Sequence, residues 1–162
     1  MSNMYNWLVF LHVFFALLLM LGHGAHVAAM FKFRAEPDPE RSRTFFNTVP
    51  DIKYVRYLYL AMGVFGFAAA FITPWWKQGW VWLSAVVFLI TSFVMSKYGG
   101  GYYGIISNAA IQLIEAKQTN TNLPAAQEEY DQARNTPHTT IVSIVGIVGL
   151  AIILWLMRFK PF

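Results

Sequence analysis

Four long apolar stretches punctuate the chain, at about 5–31, 55–73, 80–97 and 137–157. Each is close to the ~20 residues that a helix needs to cross ~30 Å of hydrocarbon. The pattern predicts an all-α protein, a transmembrane four-helix bundle. The connection between the second and third spans is short, Pro74-Trp75-Trp76-Lys77-Gln78-Gly79-Trp80, and its tryptophans mark a membrane–water interface. Two longer polar connections, about 32–54 and 98–136, are read as loops. The first, with Glu36-Pro37-Asp38-Pro39-Glu40, reads as an extended turn. The second reads as Gly99-Gly100-Gly101, a hinge or close backbone approach, followed by two helical stretches, Ile105 to Lys117 and Pro124 to Arg134. Gln118 to Asn122 separates those two. The fourth span has a defined start, with Thr136 as N-cap and Pro137 at the first helical position.

Composition supports the same class. Of 162 residues, 57% are hydrophobic and only 12% charged, so no part reads as an independent soluble core and one domain is expected. No Lys or Arg precedes Trp7, which leaves the first span without the basic flank of a secretory signal; an uncleaved span is expected. Basic residues give the orientation. Lys32, Arg34, Arg41, Arg43, Lys53, Arg56, Lys97, Lys117 and Arg134 fall on one side, against Lys77, Arg158 and Lys160 on the other, nine to three. Both long loops are therefore expected in the cytoplasm and both termini outside, in a bacterial cytoplasmic membrane. The basic residues bracket apolar segments and form no continuous patch, so the net charge of +4 points to topology and not to nucleic acid.

The chemistry sits in the first span, which carries three of the chain's four histidines, His12, His23 and His26. At about 100° per residue, His23 lies roughly +20° and His26 roughly −40° from His12, on one helix face. Ionisable residues inside lipid face a bundle interior and are candidates for function. Three uses compete for His12: cofactor or metal ligation, an interhelical hydrogen bond, or a proton path. His12 and His26 are ~21 Å apart along the helix, which would suit two stacked sites. Only His138, at the start of the fourth span, is available as an opposing ligand, so a complete two-haem, four-histidine centre is not supported. A one-sided haem b or metal site between His23 or His26 and His138 is the reading that fits, with His12 and His26 as metal ligands in the metal case. Met20, Met30, Met62 and Met95 are further ligand candidates. Arg56 and Lys53 are placed to pair with haem propionates, or to snorkel to headgroups.

Other chemistries are excluded more firmly. With no cysteine, disulfides, iron–sulfur clusters, thiolate zinc and covalent haem attachment drop out. Ser84, Ser92, Ser96 and Ser143 have no local His–carboxylate partner, and Gly99 to Gly101 lacks the Lys-Ser/Thr of a phosphate loop. Glu115 and Glu128-Glu129-Asp131 read as solvated helix faces. The helix glycines Gly63, Gly66, Gly146 and Gly149 read as close-packing sites.

Leu11-His12-Val13 with Gly22 ten residues after the histidine, and Leu156-Met157-Arg158-Phe159-Lys160-Pro161 with its M-x-x-K-P pattern, carry a resemblance over most of the chain. The chain resembles a group of small four-span bacterial membrane proteins. The group comprises the "predicted integral membrane protein" family, the copper-resistance protein D domain and the HemJ-type protoporphyrinogen oxidases. The resemblance implies a four-helix bundle and, from HemJ-like members, a haem b whose span 1 axial ligand is His12. HemJ-like members carry a proline–arginine–aromatic run late in span 1, where this chain reads Ala25-His26-Val27-Ala28-Ala29. The copper-domain likeness implies a soft-ligand path through the histidines and Met20 or Met30. The leading expectation is a haem-b protein of electron transfer or porphyrin handling, with His12, His23, His26, His138 and Arg56 as cofactor-binding residues. The alternatives are an accessory subunit of a larger respiratory or photosynthetic complex, and copper binding or transport. Expected partners are the lipid bilayer and a larger complex or a second copy.

Overall fold

A computed structural model describes residues 2–49 and 51–162. Every regular element among them is helical: α1 (Ser2–Ala35), α2 (Pro39–Asn47), α3 (Ile52–Phe71), α4 (Gly79–Met95), α5 (Gly101–Thr119), α6 (Leu123–Asn135) and α7 (His138–Phe159). A 3-10 turn, Pro74–Lys77, links α3 to α4, and a π-helical turn, Ser96–Gly100, links α4 to α5. Four helical stretches are long and apolar enough to cross a membrane: Asn3–Ala35, Lys53–Phe71, Gly79–Thr119 and Leu123–Phe159. The protein is thus an integral membrane protein by the length and composition of its helices.

The chain forms two compact units. The first gathers Met1–Gly24, Asp51–Ser92 and Gly146–Phe162. Its helices pair in sequence order. Phe15 of α1 stacks on Phe65 of α3 with ring centroids 5.5 Å apart. Tyr59 of α3 stacks on Phe88 of α4 at 4.1 Å. Thr91 of α4 occupies the space that a Cβ would take at Gly149 of α7, so only glycine allows this approach. The outward face of α1 is apolar too: Trp7, Phe10, Phe14, Leu17 and Leu21 are all exposed. A helix apolar all round is stable only where its outer face meets lipid or another protein.

The second unit, Ala25–Pro50 and Phe93–Val145, corrects the reading of the long connections as loops. Phe33, Tyr102, Ile106, Leu113 and Tyr130 are fully or almost fully buried there, with Ala109, Ala110, Ala116, Ala126 and Ala133 around them. The alanines are what let α5 and α6 lie close. The extended turn expected after the first span is instead the start of α2. Asp38 caps it by accepting the Glu40 N–H at 3.2 Å, and Pro39 opens its first turn. The triple glycine is helical, within the π turn and the first residue of α5. The two expected helical stretches of the second connection are present as α5 and α6, joined through Asn120 and Asn122 in the left-handed region, which Asn tolerates better than most residues. At the start of α7, Thr136 Oγ1 accepts the His138 N–H at 3.2 Å, as an N-cap does.

The end of α1 shows how this unit is held. A helix C-terminus leaves carbonyls unsatisfied, and α6 supplies the donors. The Arg134 guanidinium donates to the Arg34 carbonyl at 3.1 Å, and the Tyr130 hydroxyl donates to the Glu36 carbonyl at 3.1 Å. The guanidinium also places positive charge at the negative end of the α1 dipole. Ser42 of α2 completes the group, its hydroxyl 2.6 Å from that of Tyr130. Both side chains are fully buried. Phe33 packs edge-on against the Tyr130 ring at 5.4 Å. Tyr130→Phe keeps the ring and removes the hydroxyl from a buried network, so it is expected to cost about 1–3 kcal/mol. Ser42→Ala in the Tyr130→Phe background should cost much less than alone; independent, additive losses in denaturant unfolding would show that the hydroxyls do not act together.

Candidate functional site

His12 is the polar group that α1 presents to the first unit. Its Nδ1 lies 2.8 Å from the Met62 backbone oxygen on α3. A carbonyl only accepts, so Nδ1 carries the proton and donates. In the neutral ring, Nε2 then holds a lone pair. Gly66, one turn beyond Met62, makes the approach possible. A Cβ there would sit 2.7 Å from His12 Nδ1 and 2.8 Å from Cε1. The ring therefore lies where a side chain at position 66 would be. The sequence offers His12 and Gly66 separately, one as ligand candidate and one as packing glycine; the structure makes them a single feature.

His138 is held differently. Its Nδ1 is hydrogen-bonded to the Thr136 hydroxyl, and its ring stacks on Tyr102 at 4.9 Å with Tyr98 at 5.5 Å. The π turn carries Tyr98, and Tyr102 follows one turn later in α5, so both rings reach His138. Tyr102 in turn donates its hydroxyl to the Ala133 carbonyl at the end of α6. These neighbours leave Nε2 as the ring nitrogen with no bond to Thr136. His26 is half-buried on α1, its ring centroid 5.9 Å from that of Tyr103. His23 is half-buried on the same helix.

The basic candidates at the start of α3 separate. Lys53 is engaged: its ammonium lies 3.1 Å from the Asp51 carboxylate, and its backbone N–H donates to that carboxylate at 2.9 Å. The backbone hydrogen bond first, and the Lys53 side chain second, hold the Asp51 carboxyl below its usual range. Arg56 is exposed on α3. Of the methionines, Met30 is buried in the core of the second unit, while Met20, Met62 and Met95 are half-buried. Among the described residues no three His, Asp or Glu side chains converge to hold a metal ion.

No family model, curated protein or solved structure matches the chain. The chemistry must be argued from the residues. Gly66→Ala is the sharpest probe of the His12 seat. It is expected to push the ring off α3, break the bond to Met62 and cost about 1–3 kcal/mol of stability. His12→Ala should relieve that collision, making the double variant no worse than His12→Ala alone in thermal unfolding. A Gly66→Ala protein as stable as the parent would show that the ring does not rest there.

Proposed function

We propose that this is a haem-b-binding integral membrane protein that transfers electrons or handles porphyrin, with His12 as an axial ligand through Nε2. The observation that supports it is the His12 Nδ1–H bond to the Met62 carbonyl. Ligating histidines commonly donate the other ring N–H to a carbonyl or carboxylate, which fixes the tautomer and raises the basicity of the ligating nitrogen. A helix-to-helix lock needs Nδ1 alone; ligation uses the nitrogen that the lock leaves over. The resemblance to HemJ-type proteins assigns the same histidine. His23, half-buried on α1, and Arg56, exposed on α3, lie in the same unit and are the further cofactor-binding residues proposed, Arg56 toward a propionate. A bound haem b supplies a one-electron couple.

The chain's own residues do the rest. The Met62 carbonyl orients the imidazole, Gly66 gives it room, and the stacked rings of Phe15 and Phe65 on the same two helices provide apolar surroundings. Low polarity around such a site tunes the potential of whatever it holds. The excess of Lys and Arg in the two long connections favours an orientation with those connections in the cytoplasm and both termini outside, in a bacterial cytoplasmic membrane.

A second reading, an accessory subunit of a larger respiratory or photosynthetic complex, is favoured by the aromatic ladder on α1. Trp7 lies edge-on to Phe10 at 5.7 Å and Phe10 stacks on Phe14 at 6.0 Å, all three exposed. Co-purification with larger subunits in mild detergent separates that reading from a lone carrier.

Protein purified from haem-replete cells should show a Soret band and, in a reduced-minus-oxidised spectrum, the α peak of haem b. His12→Ala should remove most of that absorbance, and His12→Met should shift it. Colourless wild-type protein, or an unchanged spectrum in His12→Ala, would falsify the assignment.

A further inference from the structure

The M-x-x-K-P run at the end of α7 has a place in the structure that the haem reading does not use. Lys160 adopts φ 47°, a region that L-residues other than Asn and Asp seldom occupy. Its N–H donates to the Leu156 carbonyl at 2.9 Å, which ends α7. The turn directs its ammonium onto the face of Trp75, 3.4 Å from the ring centroid, with the Trp80 ring 5.8 Å away. Trp75 and Trp80 stand edge-to-face at 5.3 Å, and Tyr5 of α1 lies 6.1 Å from Trp75. Two aromatic rings, Trp75 and Trp80, thus face one cation, with Tyr5 beside Trp75. The chain after Lys160 is fastened as well. The Phe162 ring fills the space of a Cβ at Gly79, and the Phe162 backbone oxygen accepts the Trp80 N–H at 3.3 Å.

We propose that Trp75 and Trp80, with Tyr5 backing Trp75, form an ammonium-binding box that Lys160 fills from within the chain, and that the ammonium of a lipid headgroup competes for it. Aromatic boxes take quaternary ammonium groups through the negative faces of their rings, most strongly where the cation is partly desolvated. The box lies where α3 ends and α4 begins, beside the end of α7. In a spanning protein that is the depth of the headgroups, and Trp and Tyr are the residues that favour it. Among the described residues, water-exposed Lys160 has no carboxylate partner, so the rings are what hold its charge. A choline headgroup offers the same charge to the same faces without the left-handed backbone at Lys160. Lys160 is therefore a latch, and its release would loosen the segment 160–162, leaving Phe162 as its remaining hold on Gly79 and Trp80.

The test uses the full chain in nanodiscs of phosphatidylcholine or of phosphatidylglycerol. Lys160→Gln keeps most of the stem and removes the charge; Lys160→Arg keeps the charge. In phosphatidylglycerol, K160Q should melt about 5 °C below wild type and K160R close to it. In phosphatidylcholine the K160Q deficit should shrink at least by half, because choline enters the vacated box. Adding Trp75→Leu should abolish that rescue. A K160Q deficit equal in both lipids would overturn the lipid site, and no deficit in either would overturn the latch itself. Rescue that survives Trp75→Leu would place the lipid effect elsewhere and also defeat the proposal. None of these readouts depends on haem, so failure here leaves the His12 reading standing.

Discussion

Hydrocarbon offers no hydrogen-bond partner, and that constraint orders the first unit. Every polar side chain within a span must find its acceptor in the protein, and the acceptors on hand are backbone carbonyls with a lone pair to spare. Ser84 and Ser92 solve this locally, each donating to a carbonyl four residues back on its own helix. Such bonds say nothing about which helix lies beside which. His12 and Tyr59 are different because they reach across. His12 donates to Met62 on α3, and Tyr59 of α3 donates to the Phe88 carbonyl on α4 at 3.2 Å. These two bonds fix the order α1–α3–α4, which apolar contacts alone, equally content with lipid, would specify weakly.

The second unit meets the opposite problem. Half of its buried core is alanine, so beside its large side chains it relies on close approach and on hydroxyl and guanidinium groups that finish a neighbouring helix. Alanines bring α5 and α6 together; Tyr130, Arg134 and Ser42 then satisfy the end of α1. Here buried polar groups are worth their desolvation because each replaces water at a carbonyl that the helix itself cannot serve.

This difference explains what could be read from the chain. The spans were legible because ~20-residue apolar runs have one physical meaning, and the cap at Thr136 was legible because its chemistry is local. The core of the second unit was not, because alanine at a helix contact looks like alanine anywhere. α2 lay between these cases. Asp38-Pro39-Glu40 is a sound helix start, an N-cap followed by proline at the first position, but the neighbouring Pro37 drew the reading toward an extended turn. For the site, the face shared by His12, His23 and His26 follows from helical spacing. That Met62 would be the acceptor does not, because a backbone carbonyl carries no side-chain signal. Gly66 was the available clue, a missing side chain at the place where the imidazole goes.

The contrast between His12 and His138 carries the argument about chemistry furthest. The sequence offered both as candidate nitrogen ligands. A carbonyl partner leaves only one assignment for His12, proton on Nδ1 and lone pair on Nε2, which is the form that can bind a metal. A hydroxyl partner does not fix His138 in that way. The Thr136 oxygen accepts the His138 backbone N–H, and its hydroxyl can either donate to Nδ1 or accept from it, so the ring proton is not tied to one nitrogen. The faces of the His138 ring are already engaged by Tyr102 and Tyr98. Of the two, His12 alone has a partner that fixes its tautomer, and His138 packs at the junction of α6 with α7. The difference rests on whether the partner oxygen carries a hydrogen of its own, a distinction that neither histidine's position along the chain could reveal.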